Sequence, residues 1–149
     1  MRTAAVLLLA LACGTSGILS PDERRDLQRA EARWKARSFT DYSFETRVSC
    51  FCPPEMAQWT RVSVRGGVVT DAVLVTPDPQ LPPPNIAYWA PIDSLFPRIR
   101  RAAGEDWVRD IDVSFDATLG FPTRIDFRSK PTVADGGALY ELRNVQPLP

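Results

Sequence analysis

The chain changes its hydrophobic period just beyond Asp41, and that switch limits what it can fold into. Between Pro21 and Arg37, Leu27, Ala30 and Trp34 recur at helical spacing, which draws one apolar stripe along a helix. Ser20-Pro21-Asp22-Glu23 marks its start: Ser20 serves as N-cap, Pro21 fits the first helical position and Glu23 completes a capping box. From Tyr42 the period becomes two. Tyr42, Phe44, Thr46, Val48 and Cys50 alternate with Ser43, Glu45, Arg47 and Ser49, the pattern of a strand with one face in a core.

The same pattern returns after each break. Trp59 to Arg65 leads through Gly66-Gly67 into Val68 to Val75, the signal of a β-hairpin. A two-residue loop would set Val62 opposite Asp71, so a bulged or longer loop that pairs Val62 with Ala72 is expected. Six of the 14 prolines then fall between Pro77 and Pro91, and a segment so short of N–H donors cannot enter the interior of a sheet. Residues 76–91 are therefore expected to form one extended loop. Ile86, Tyr88 and Trp89 within it either pin it to the body or project as a contact surface. A long ordered loop needs apolar anchors of its own, which favours pinning, while Tyr88 and Trp89 are the positions at which a binding partner would be sought.

A second helix carries Leu95, Phe96 and Ile99 on one side and ends in Arg98, Arg100 and Arg101 before Gly104, an arrangement that suits the helix dipole. The last third alternates again. Ile111, Val113 and Phe115 oppose Asp110, Asp112, Ser114 and Asp116, and Ile125 and Phe127 oppose Arg124, Asp126 and Arg128. A register pairing Asp116 with Arg124 and Asp112 with Arg128 would make the exposed ladder complementary. With a turn at Asp135-Gly136-Gly137 and a final strand from Leu139, the order is α-βββ-α-βββ. The fold class is α+β, two helices packed on antiparallel sheet, and the order suggests two tandem helix-on-sheet units.

Ahead of all this, Met1 to Cys13 holds one charge at Arg2 and an apolar run from Ala4 to Ala12. As a helix that run reaches about 14 Å, short of the roughly 30 Å hydrocarbon core, so it reads as an export signal and not as a spanning helix. Ala10-Leu11-Ala12-Cys13 is similar to the lipobox of bacterial lipoproteins, in which the cysteine receives the lipid. Plain secretory cleavage near Cys13 is the alternative, giving a secreted or periplasmic soluble protein. The domain reading is a signal peptide over 1–12, a lipidated cysteine and flexible tether over 13–20, and a single α+β domain over 21–149. With Cys13 lipidated, Cys50 and Cys52 remain. Residues two apart in an ideal strand lie about 6.6 Å apart at Cα, near the limit for a bridge, but Pro53-Pro54 directly after them favours a bend. A local disulfide is expected, with a free pair and a redox or metal role as alternatives.

Trp34, Tyr42-x-Phe44, Cys50-x-Cys52, Val62-x-Val64, Ile92-Asp93-x-Leu95-Phe96-x-x-Ile99 and Val113-x-Phe115-Asp116-x-x-Leu119-Gly120-Phe121-Pro122-x-x-Ile125 together form a combined pattern. It resembles the bacterial domain of unknown function 6174 from about residue 31 onward. The resemblance implies an exported protein, in many members a lipoprotein, and lends no activity. Members often carry a threonine capping the second helix where this chain has Pro91.

Composition narrows function further. Eighteen basic side chains balance 18 acidic ones and there is no histidine, which leaves no basis for a nucleic-acid surface or for His-dependent catalysis and His-containing zinc sites. No phosphate-binding glycine loop and no Gly-x-Ser-x-Gly elbow is present. The expectation is a non-catalytic, membrane-tethered lipoprotein of the bacterial cell envelope, without cofactor or metal, that binds an envelope protein partner. The alternative is an envelope thiol or redox protein using Cys50 and Cys52. Two or more acyl chains hold a protein on a bilayer stably, so Cys13→Ala is expected to move the exported chain into the soluble fraction. Unchanged membrane fractionation of that variant refutes lipidation at Cys13.

Overall fold

The computed structural model describes residues 18–149. The signal peptide over 1–12 and the lipidation site Cys13 lie outside the described residues, with the tether as far as Gly17.

Helix α1 spans Pro21–Lys35 and is set locally at its start. The Glu23 N–H donates to Ser20 Oγ at 3.2 Å and the Ser20 N–H donates to Glu23 Oε2 at 2.7 Å, so two donors that a helix N-terminus leaves free satisfy each other's side chains. The folded body begins before this cap. Leu19 is only 5% exposed, and Arg24 donates to its carbonyl at 2.7 Å. The tether expected over 13–20 therefore ends by Ile18, because Leu19 is drawn into the core beside Leu27 and Ile99.

Strands β1 (Tyr42–Ser49), β2 (Thr60–Arg65) and β3 (Val68–Leu74) precede helix α2 (Leu95–Ala102), and β4 (Val108–Phe115), β5 (Pro122–Ser129) and β6 (Ala138–Pro147) follow it. All six strands make one antiparallel sheet in the order β3-β2-β1-β6-β5-β4. Val62 pairs with Ala72 across a bulge beyond Ser63, the register that keeps apolar groups together. Helix α2 is entered through a 3-10 turn at Ile92–Ser94 and carries Pro97 as its third residue. No side chain caps it, and Ser94 Oγ donates back to the Pro91 carbonyl at 2.7 Å.

The β4–β5 register differs from the expected one by two residues. Asp110 stands opposite Arg128, Asp112 opposite Asp126 and Ser114 opposite Arg124. Asp116 is not a ladder partner for Arg124, because the turn needs it. Its Oδ1 accepts from the Thr118 and Leu119 N–H groups at 3.0 and 2.6 Å, and its own N–H donates to the Phe121 carbonyl at 2.9 Å. The inward and outward alternation survives because a shift of two preserves parity.

Both helices lie on the same face. Trp34 from α1, Phe96 and Ile99 from α2, and Tyr42, Phe44, Val62 and Ile125 from the sheet share one core. The two halves are nevertheless not rotated copies, which corrects the tandem-unit expectation. The first strand of the first half, β1, is central, whereas β4 is an edge strand. With alternating strand directions, β4 runs opposite to β1. A half-turn about the sheet normal that aligns β1 with β4 would place the other two strands on the wrong side, so the halves have opposite topological hand.

The β4–β5 turn is seated on α1 at Gly120, whose φ is +80°. A Cβ there would overlap the Ala30 carbonyl oxygen and stand 2.9 Å from Arg33 Cβ. Gly66, at φ +56°, has open space around it. Gly120→Ala is expected to cost about 3 kcal/mol or more by urea unfolding, and Gly66→Ala about 1 kcal/mol, since only the first adds overlap to backbone strain. Equal losses would refute the seating role.

Candidate functional site

The helices cover one face of the sheet and leave the other uncovered among the described residues. Period-two alternation places Glu45, Arg47, Arg61, Glu141 and Arg143 on that open face, and the register brings them together. Glu45 on β1 is the direct partner of both Arg61 on β2 and Arg143 on β6. Arg61 donates to Glu45 Oε1 at 3.1 Å, while Arg143 Nε and Asn144 Nδ2 each donate to Oε2 at 2.9 Å. Asn144 reaches it from a bulge in β6, where its φ is +54°. Burial of Glu45, whose side chain is 7% exposed, pushes its carboxyl up. The hydrogen bonds from Arg143, Asn144 and Arg61 outweigh that and hold it below the ordinary carboxylate range.

A second row runs beside the first. Arg47 Nε donates to Glu141 Oε2 at 2.7 Å, and this bond keeps the Glu141 carboxyl below its ordinary value. Trp59, directly ahead of β2, lies over both rows. The Arg143 guanidinium sits 3.8 Å from its ring centroid and that of Arg47 4.8 Å, within the range of a cation–π contact. Farther along, Arg124 and Arg128 both reach Asp126, and Arg128 also pairs with Asp110. The open face is thus a lattice of fixed guanidinium and carboxylate groups with one aromatic plate. It can present oriented donors and a flat ring.

The residues singled out from sequence are dispersed. Cys50 and Cys52 lie within bonding distance of each other across a bend after β1, with Cα atoms 5.2 Å apart. Tyr88 and Trp89 differ in burial. Trp89 is 8% exposed and packs toward Phe44, Leu95 and Leu142, so it pins the loop, while Tyr88 is 47% exposed. Asn85 Oδ1 accepts from the Ala87 N–H at 3.0 Å and caps the 3-10 turn Ile86–Tyr88, which leads directly into Trp89. Among the described residues no three Cys, Asp or Glu side chains form a group that could hold a metal ion. Sequence reasoning missed Trp59 and the Glu45 lattice. Alternation marked the charged face, but the partnership of β1 with β6 joins residues 90 to 105 positions apart and leaves no local signal.

The model of a family of unknown function, DUF6174, matches residues 26–147. The chain belongs to that family. No curated protein and no solved structure matches it. The match covers both helices and all six strands almost entirely, so this DUF6174 chain is one unit across its sheet, and the open face is part of the family region.

The lattice makes a pH prediction. A carboxyl held below its unfolded value of about 4.3 contributes stability that is fully present above that pH and is lost as pH falls through the folded value. Glu45→Gln is therefore expected to lower stability by about 1–2 kcal/mol at pH 7 and to flatten the acid side of the stability profile below pH of about 5. Wild type and variant compared by urea unfolding from pH 7 to 3 provide the check, and parallel profiles would refute it.

Proposed function

We propose that the protein is a non-catalytic binding module of the bacterial cell envelope, tethered through a lipid on Cys13, that presents the open face of its sheet to an envelope protein partner. The observation that supports this best is Trp59 held against Arg143 and Arg47 beside the Glu45 lattice. Tryptophan and arginine are the residues that most often dominate protein interfaces, and here their rotamers are fixed before contact, which lowers the entropy cost of association. The arginines are partly neutralised by carboxylates, which suits a partner surface of mixed charge better than a polyanion. The lipobox-like Ala10-Leu11-Ala12-Cys13 and the resemblance to exported proteins support the location.

Cross-linking in the native envelope followed by affinity measurement tests the reading. Trp59→Ala is expected to weaken capture of the cross-linked partner at least tenfold, about 1.4 kcal/mol, while remaining folded by circular dichroism. Tyr88→Ala serves as the comparison: loss of the partner there and not at Trp59 would move the contact to the proline loop and refute the open-face reading. The thiol-exchange alternative rests on the exposure of Cys50. It requires that Cys50 and Cys52 cycle between states, and a pair that is always oxidised in cells excludes it.

A further inference from the structure

Phe51 stands between Cys50 and Cys52 and is 85% exposed, the most exposed large apolar side chain among the described residues. The bend is held at its base by the bonded cysteine pair. The segment around it carries little charge. Between Val48 and Thr60 the only acidic or basic side chain is Glu55, and it is 5% exposed. Ser49 pairs with Leu139 at the start of β6, and the neighbouring Gly136-Gly137-Ala138 is uncharged as well. Phe51 is thus an apolar knob in a stretch with no exposed charge of its own, while the exposed Asp135 stands next to Gly136 in the neighbouring connection.

Its position in the fold says what lies beyond it. The pairing row Ser49–Leu139–Asp126–Asp112 crosses the sheet from β1 to β4, so Cys50 and Phe51 leave β1 at the level of Ile111. Leu19, where the described chain begins its packing, sits against Ile111 and beside Gly104 after α2. The chain that leads to Cys13 and the Phe51 knob therefore emerge at the same end of the molecule. From Ile18 back to Cys13 are five residue steps, at most about 18 Å of extended chain. Between β1 and β4 lie three strand spacings, about 14 Å. A body tied down by so short a lead is held with this end toward its anchoring surface.

We infer that Phe51 inserts into the lipid bilayer that carries the anchor, so that the disulfide-held bend is a second membrane contact that orients the tethered body. This inference rests on the proposed lipidation of Cys13. A segment with no exposed charge of its own allows its phenylalanine to enter the headgroup region without desolvating ionic groups within that segment, and a bend fixed in advance adds little ordering cost to the insertion. With the sheet end held at the bilayer, its open face stands roughly upright and accessible to a partner.

The test uses the full-length exported chain in phosphatidylcholine vesicles with brominated acyl chains. Mass measurement of the N-terminal peptide first establishes whether Cys13 carries acyl groups. The Phe51→Trp variant is expected to lose at least twice as much of its added fluorescence to the bromolipid as the wild-type tryptophans lose on average. The Phe51→Ser variant is expected to be anchored normally but to show wider orientational spread of the body above the bilayer. If Cys13 is acylated and Phe51→Trp is quenched no more than wild type, the insertion is overturned while the lipid anchor stands. If Phe51→Ser instead releases a cross-linked protein and the tryptophan variant is not quenched, the knob belongs to a protein contact and the inference is overturned. If Cys13 carries no acyl group, the anchor reading falls and the inference with it.

Discussion

The hydroxyl of Tyr42 joins three elements that are far apart in sequence. It donates to Asp93 Oδ2 and accepts from the Ile92 N–H, both at 3.0 Å, which ties the first residue of β1 to the entrance of α2. The Tyr42 ring meets Trp34 of α1 edge-on at 5.1 Å. Arg37 closes the set, stacked 4.0 Å over the Trp34 ring and paired with Asp93. Burial, with Asp93 beside it, pushes the Tyr42 phenol far above its ordinary range, so it stays a donor at any physiological pH. The Tyr42 hydroxyl and the Asp93 carboxylate are satisfied within this hub, whereas the buried Trp34 Nε1 and Arg37 Nε have no hydrogen-bond partner, and the hub links both helices to the sheet.

Everything on the opposite face follows from that placement. Two short helices and the proline loop cover only one side of six strands, so the outward residues had to be soluble without a second layer. The chain meets this with arginine–carboxylate pairs across the β1–β2, β1–β6 and β4–β5 junctions. Most of these pairs are half-exposed and individually worth little. Glu45 differs because three donors converge on it and leave it almost fully buried on the face of a sheet. That burial, and the arginines held against Trp59, turn a solvated face into an organised one.

Much of the local structure was legible from residue patterns. The capping box at Ser20, the bulged hairpin that pairs Val62 with Ala72, and the bend that brings Cys50 to Cys52 each depend on side chains within a few positions of one another. The β4–β5 register was misread because Asp116 could serve either the ladder or the turn, and only the turn's length decides between them. Leu19 looked like tether because its burial depends on Ile99 and Ile111, which are remote in sequence. Trp59 carried no sign of its role for the same reason: its partners Arg47 and Arg143 come from strands at opposite ends of the chain.

The sequence by itself determined which segments are helices and strands, which face of each is apolar and where the chain turns, since hydrophobic period, caps and glycines act over a few residues. It determined the family as well, through apolar positions and the cysteine pair at characteristic spacing. Tertiary structure alone decided that β6 returns to lie beside β1, because that pairing closes a loop of at least 90 residues and is selected by the shared core rather than by local preference. From that single adjacency come the joined six-stranded sheet, the opposite hand of its two halves and the Glu45 lattice on its open face.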